Sequence, residues 1–252
     1  MKLIHLALTA IMVCCLYPQL SFSQKPVKEP VSTSLAFASY GYMFPGGDLS
    51  KRFGNNSTVG LGYLHKFKGN FVLGADASFI FGNHIKEDSL FYNLYTTNFI
   101  IIDGNGMPAE VKMFERGVYT GLRLGQIFRV SKSSPNSGLL LMVGGGFMQH
   151  KIRIEVTDNV APQLSGDYKK GYDRYCAGWQ LNEFAGYFYM GEKKLVNFFA
   201  GLEFVQGWTE PFRPVNFDTL KKDRTKRFDT MIGIKIGWFI PFYGQSSDGF
   251  YY

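Results

Sequence analysis

Eight segments in which apolar residues alternate with polar or small ones run through this chain of 252 residues, and they limit its fold more than any other feature. In one of them, Phe228, Ile232 and Trp238 lie on one face, and Lys235 lies on the other. Successive side chains of a β-strand point to opposite faces, so a period of two predicts strands. The pattern leaves the facing of the first, fifth and sixth segments ambiguous, and three glycines at 144–146 allow a bulge or kink. The predicted strands are 34–44, 58–67, 70–83, 118–130, 138–154, 175–190, 196–205 and 228–242.

The connections between these segments alternate between long and short. The short connections are KGN, SKSSPNS and GEKK, and they alternate with long connections of about eleven, over thirty, about twenty and about nineteen residues. A barrel in an outer membrane has tight turns on one rim and long loops on the other. The sequence therefore predicts an all-β fold, an eight-stranded antiparallel up-and-down transmembrane β-barrel.

The composition fits a membrane barrel and excludes two other classes of chain. Hydrophobic residues make up 46% of the sequence, which is too many for a disordered chain. Beyond the N-terminus there is no apolar run of the roughly 18 residues that a transmembrane helix needs, which excludes a helical membrane protein. The aromatic content of 17% is typical of side-chain girdles at the membrane interfaces. The expected girdle residues are Tyr63, Phe67, Trp238, Phe242 and Tyr243.

The N-terminus predicts export. A Met-Lys pair precedes the apolar run LIHLALTAIMVCCL, and small residues at Ser21 and Ser23 suit a cleavage site, as in a secretory signal peptide. The alternative is a lipoprotein signal that modifies Cys14 or Cys15. Cleavage after Ser23 leaves Cys176 as the last cysteine, so no intramolecular disulfide can form. The expected organisation is a signal peptide (1–23), a periplasmic lead (24–33), an outer-membrane barrel (34–243) and a C-terminal tail (244–252).

Isolated charges lie in the middle of several strands, on the face opposite the apolar one. Asp76, Arg123, Glu203 and Lys235 each lie about six to eight residues from the nearest short turn. A basic side chain that faced lipid at this depth would cost about 2–4 kcal/mol, whereas inside the barrel acids and bases neutralise one another. We expect these four residues, with Glu183, to form a lumenal charge network. It is either a path for ions or protons, or an ion network that fills a narrow interior.

Motifs for catalysis or metal binding are missing from the sequence. There is no G-x-S-x-G, Walker or H-E-x-x-H motif, and the histidines at 65, 84 and 150 lie on different segments. The Asp103–Gly106 sequence resembles the start of a calcium loop, but it lacks the later carboxylate, so a tight hairpin turn is the preferred interpretation. We expect no enzymatic activity, no metal and no cofactor.

Two long connections combine basic and aromatic residues on the outward rim. They suit anionic groups of lipopolysaccharide or another outer-membrane protein, and solvated loops are the alternative. Nucleic acid is not an expected partner of an exported protein. The candidate binding residues are Lys169, Lys170, Tyr172, Arg174, Arg213, Lys221, Lys222 and Arg224.

Several stretches resemble a known group of proteins over essentially the whole mature chain. They are PGGDLSKRFG (45–54), PNSGLLLMVGGGFMQHKIRI (135–154), PQLSGDYKKGYDR (162–174) and the ending GIKIGWFIPFY (233–243). Together with the signal peptide they are similar to the small outer-membrane β-barrel proteins of Bacteroidota, the OmpA-like and PorT-like barrels. The resemblance implies fold and location but no activity, although some relatives are accessory subunits of large outer-membrane secretion or assembly machines. We expect a structural or interaction role, as an accessory subunit of an envelope secretion or assembly complex. A small pore or ligand-uptake channel is the alternative. The nine residues GQSSDGFYY after the last strand depart from the pattern.

Overall fold

The computed structural model describes residues 30–131, 134–157, 161–191 and 196–242, which form a closed ring of eight antiparallel strands. Each strand pairs with the next along the chain, and the last pairs with the first, so the predicted up-and-down barrel is confirmed. The signal peptide, most of the N-terminal lead, Tyr243 and the C-terminal tail lie outside the described residues. The strands are β1 (Thr33–Gly47), β2 (Asn56–Lys66), β3 (Phe71–Gly82), β4 (Glu110–Arg129), β5 (Gly138–Thr157), β6 (Cys176–Met190), β7 (Asn197–Pro211) and β8 (Arg227–Phe242).

The strands are strongly staggered around the ring. Ser34 on β1 pairs with His65 on β2, and a walk along paired residues through all eight strands returns to β1 at Phe44. The offset of ten residues, from position 34 to position 44, is the shear of the barrel, and it corresponds to a strand tilt of roughly 40°. Residues that are several positions apart in register therefore meet at the same height in the lumen.

The outer wall is apolar, as the alternation predicts. Leu61, Leu122 and Ile234 are 67%, 69% and 59% exposed. The residues that alternate with them along each strand face a packed interior. Four of the five expected girdle aromatics, those at 63, 67, 238 and 242, are exposed on this wall. No helix in the described ranges is long and apolar enough to cross a membrane.

The three glycines of β5 make room for neighbouring strands and do not form a bulge. Pairing with β4 is continuous through them, with Gly121 opposite Gly146. A Cβ atom on Gly146 would lie 2.0 Å from the Thr120 carbonyl oxygen, and one on Gly144 would lie 2.3 Å from Asn182 Oδ1. Any larger residue at either position would push the strands apart.

The short-turn end of the barrel is closed by polar side chains. In the turn that connects β2 to β3, Asn70 adopts a left-handed conformation (φ 62°), and its Nδ2 donates to the Pro135 carbonyl oxygen at 3.2 Å. Lys66, which is fully buried, donates to the Val31 carbonyl oxygen at 2.9 Å and to Asn136 Oδ1 at 3.0 Å. These bonds tie the N-terminal lead and the turn before β5 across the opening.

The long connections fold into a compact cap over the opposite end. The alternative of solvated loops therefore describes only the exposed residues of these connections. A helix α1 (Leu49–Arg52) and three 3₁₀ helices (Tyr92–Leu94, Pro162–Leu164 and Gly166–Gly171) belong to the cap. Its apolar side chains form one cluster with those of the upper barrel interior. Strands β4 and β5 also extend beyond their predicted ends, to Glu110 and Thr157, and partly buried residues of these extensions pack on the cap. Buried members of the cluster from the connections include Leu49, Phe53, Leu90, Phe91, Ile101, Leu164 and Tyr172, and those from the strands include Ile80, Met148 and Met231.

Candidate functional site

Four buried charged side chains meet across the middle of the lumen. Arg123 donates from Nε to Asp76 Oδ1 at 2.6 Å and from Nη2 to Asp76 Oδ2 at 2.8 Å. The same Nη2 donates to Glu203 Oε1 at 2.6 Å, and Lys235 Nζ donates to that oxygen at 2.9 Å. Lys235 Nζ also lies 3.5 Å from Asp76 Oδ2, which closes the ring of contacts. We call Asp76, Arg123, Glu203 and Lys235 the lumenal quartet; two acids and two bases leave it without net charge.

Glycine neighbours create the space for these long side chains. The quartet comes from two pairs of adjacent strands, β3 with β4 and β7 with β8, so its members reach toward one another across the lumen. Each member has a glycine as its direct cross-strand partner, and a glycine adds no side chain to the crowded interior. The pairs are Asp76 with Gly121, Arg123 with Gly74, Glu203 with Gly233, and Lys235 with Gly201.

Tyr119 completes the site, although the sequence analysis did not select it. Its hydroxyl donates to Glu203 Oε2 at 2.9 Å, and Lys235 Nζ lies 5.7 Å from the centre of its ring. The side chain is fully buried and lies four residues before Arg123 on the same face of β4. Residues an even number of positions apart on a strand share a face, so this spacing could have predicted that Tyr119 points into the lumen beside Arg123.

The position predicted for Glu183 is wrong, because its side chain faces outward. Asn182 occupies the inward position on β6 and is fully buried, so the next residue must point to the outer wall. There, Glu183 Oε1 accepts a hydrogen bond of 3.0 Å from Gln206 Nε2 of β7. Two polar residues in succession gave the sequence pattern no basis for choosing between them.

A second buried polar group lies where the barrel meets the cap. Asp229 is at its centre: its Oδ2 lies 2.9 Å from His150 Nε2 and accepts a 2.5 Å bond from the Thr209 hydroxyl, and its Oδ1 lies 3.6 Å from Arg52 Nη2. Asn56 Nδ2 donates to Glu115 Oε2 at 3.1 Å nearby. Through Arg52, this group anchors α1 inside the mouth of the barrel. We call Arg52, Asn56, Glu115, His150, Thr209 and Asp229 the mouth cluster.

The candidate binding residues of the cap divide into two sets. Tyr172 is buried in the cap core, Arg174 forms a 2.5 Å ion pair with Asp218, and Arg213 forms one with Asp173. These three residues hold the loops to one another, so their side chains are committed to the cap itself. The others are partly or fully exposed: Lys169, Lys170, Lys221, Lys222 and Arg224.

Two ion pairs of the cap change the acidity of their carboxyl groups. Burial alone would raise the pKa of Asp223, but hydrogen bonds from Arg227 and Thr225 lower it to about 2. The hydrogen bond from Lys51, 2.8 Å long, lowers the pKa of Asp48, which also accepts the Phe228 N–H. Both carboxylates remain charged at neutral pH and fix the loops that carry them.

Acidic, histidine and cysteine side chains form no metal-binding group in the described ranges. No set of three or more His, Cys, Asp or Glu side chains there is arranged to hold a metal ion. Asp103 instead caps a tight turn, because its Oδ1 accepts the N–H groups of Asn105 and Met107 at 2.8 Å each. The preferred hairpin interpretation of that sequence therefore agrees with its geometry.

The chain is similar to several solved structures, each at low identity and with a TM-score below 0.5. No family model and no curated protein matches the chain. The Neisserial surface protein A (NspA) matches with 9% identity over 81% of this chain and 96% of that one, with a TM-score of 0.38. Ail of Yersinia pestis matches with 10% identity over 83% and 99%, with a TM-score of 0.41. The N-terminal β-barrel domain of OprF of Pseudomonas aeruginosa matches with 14% identity over 83% and 100%, with a TM-score of 0.37. Similarity at this level says nothing about the activity of this chain.

Proposed function

We propose that this chain is a non-enzymatic barrel of a bacterial outer membrane that acts through its folded cap and conducts no ions. The placement in a membrane is supported by the outer wall. Its exposed leucines, isoleucines and aromatic residues run around the whole ring, far beyond the apolar patches of a few hundred Å² that soluble monomers expose. A closed ring also leaves no unpaired strand edge, which lipid would penalise.

The observation that carries the absence of conduction is the filled lumen. The lumenal quartet crosses its middle, and a layer of buried aromatic rings lies toward the short turns, where Phe188 and Phe239 stack at 4.5 Å and Phe37 contacts Phe199 edge-on at 5.4 Å. On the other side, the interior side chains merge with the core of the cap. We therefore favour the structural interpretation of the charge network over an ion path.

The cap offers the surface on which an interaction role rests. Phe99 and Leu220 are 74% and 78% exposed, and both hold a left-handed backbone conformation that bulky residues rarely adopt. Strained, exposed apolar residues on loops are frequent at binding surfaces. Beside Leu220, the exposed Lys221 and Lys222 add positive charge suited to anionic lipopolysaccharide. The finer proposal is an accessory subunit of an envelope secretion or assembly complex.

Two measurements test this function. In planar bilayers, the purified barrel should give negligible single-channel conductance, and a stable ion-selective conductance would overturn the non-conducting role. In affinity purification from detergent-solubilised outer membranes, a partner of the wild type should be lost from a Phe99→Ser, Leu220→Ser variant. It should be kept by the matched cap variant Thr219→Ser. A partner that binds all three proteins equally would contradict the role of these two residues.

A further inference from the structure

In the described part of the chain, the outer wall of β6 and β7 carries a hydrogen-bonded carboxylate–amide pair, Glu183 with Gln206. Glu183 and Gln206 face outward because Asn182 and Val205, their inward neighbours, are fully buried. Thr230 of β8 lies directly opposite Gln206 on this face, and several other outward neighbours are apolar and well exposed. They include Leu181, Leu202 and Phe204.

The pair lies at a depth where lipid offers no hydrogen bonds. Glu183 is directly opposite Phe204, the residue next to Glu203 of the lumenal quartet, so it lies on the outside of the wall near the quartet's level. Water is absent from the hydrocarbon core, and polar groups there need partners in protein. If the barrel spans a membrane as proposed above, this face is therefore costly for a single copy.

The internal hydrogen bond uses only part of the pair's capacity. A glutamine amide has two N–H donors and a carbonyl acceptor. In the described part of the chain, one N–H of Gln206 is bonded to Glu183 Oε1, and no bond is formed by the second N–H or by the carbonyl oxygen. Glu183 Oε2 is buried against the wall and also lacks a hydrogen bond, so it is out of reach of an outside group. Within the pair, the groups open to a neighbour are those of Gln206, and the Thr230 hydroxyl lies beside them on β8.

We propose that the outer face of β6 and β7 is an interface at which two copies of this chain meet within the membrane, with Gln206 at its centre. An amide is its own complement, because two of them can exchange N–H···O=C bonds in both directions. All copies insert in one orientation, so a two-fold axis along the membrane normal places the same face of each at the same depth. Such an isologous contact satisfies both Gln206 amides at once.

A groove beside the pair supplies a place for side chains of the second copy. It has a volume of about 290 Å³, and the small side chain of Ala185 forms part of its lining. The remaining outward lining residues are apolar: Leu141, Leu202, Phe204 and Ile232. On the opposite wall, around Leu61, the outward positions of β2 and β3 carry no hydrogen-bonded carboxylate–amide pair.

Crosslinking of the chain without residues 1–23, which contain Cys14 and Cys15, in liposomes of phosphatidylethanolamine and phosphatidylglycerol tests the interface. Cys176 is buried, so the wild type is the uncrosslinked reference. Leu202→Cys should form a disulfide-linked dimer, and Leu61→Cys on the opposite wall should remain monomeric. Equal crosslinking at both positions, or none at position 202, would overturn the proposal.

Energy transfer between labelled copies at a series of protein-to-lipid ratios gives a second readout. Gln206→Leu should weaken dimerisation about tenfold, because two reciprocal hydrogen bonds are lost. Leu61→Ala should have no effect, and gel mobility before and after heating verifies that each variant is folded. A wild type that is monomeric at every ratio overturns the dimer, because lipid or a different protein must then cover the face. That result leaves the proposed function intact. A chain that does not partition into membranes at all would refute the proposed function itself.

Discussion

Replacing Arg123 with methionine removes the guanidinium that joins both carboxylates of the lumenal quartet. Three hydrogen bonds of 2.6–2.8 Å are lost, and two buried acids remain beside a single lysine. Removal of one partner from a buried ion pair typically costs about 3–5 kcal/mol, because the remaining charge is left uncompensated. We expect the free energy of unfolding to fall by about this amount. With a urea dependence of about 2 kcal/mol per molar, the unfolding midpoint would fall by roughly 2 M.

A double-mutant cycle with Asp76→Leu separates this explanation from a general loss of packing. Each single variant carries an unbalanced charge, whereas the double variant restores equal numbers of acids and bases. The double variant should therefore be more stable than the sum of the two losses predicts, with a coupling of about 2 kcal/mol or more. Urea unfolding in liposomes, followed by tryptophan fluorescence, measures all four proteins. Leu124→Val on the lipid-facing side of the same strand is the control. Additivity within about 0.5 kcal/mol would refute the network argument.

Three further predictions concern orientation, packing and acid sensitivity. Trypsin added to intact cells should cleave at Lys221 in the exposed cap and spare Lys68 in a short turn, and cleavage at both in sealed cells would contradict the orientation. Gly146→Val should prevent folding into a heat-resistant form on gels, or lower the free energy of unfolding by more than about 3 kcal/mol, because its Cβ would lie 2.0 Å from a carbonyl oxygen. Gly69→Ala should be neutral in the same gel assay, because its Cβ would have no atom within 4 Å. Because the folded-state pKa of Asp223 is about 2, below its ordinary value of 3.8, its stabilisation of the cap is complete above about pH 4 and is lost as the pH falls through 2. Amide hydrogen exchange of the 216–227 loop should therefore accelerate in that interval beyond its intrinsic pH dependence, and Asp223→Asn should remove the effect.

The strands could be predicted from the sequence because their signal is local. The side chains of β3 and β8 alternate without interruption, and this pattern placed Asp76 and Lys235 on one face before any contact was known. The long connections have no such period. The burial of Leu90 and Leu164 arises from contacts between segments far apart in the chain, which composition alone could not indicate.

The site residues that the sequence pattern misplaced or did not indicate have equally specific explanations. Glu183 follows another polar residue, so a shift of one position exchanged the inner and outer faces. Arg52 belongs to a long connection without a period, and only the insertion of α1 into the mouth brings it to Asp229. Residues whose environment depends on how a connection folds back over the barrel are those that local patterns miss.

The shared core of cap and barrel has a consequence for the order of assembly. The apolar residues of the long connections pack against Ile80, Met148 and Met231, which come from β3, β5 and β8. These three side chains converge only after the first and last strands have joined, so the cap has no surface to fold on in an open sheet. For the proposed outer-membrane barrel, we therefore expect the connections to cross the bilayer as unstructured chain and to fold last. An antibody specific for the folded cap would detect completed ring closure on the surface of living cells, and would bind no earlier intermediate.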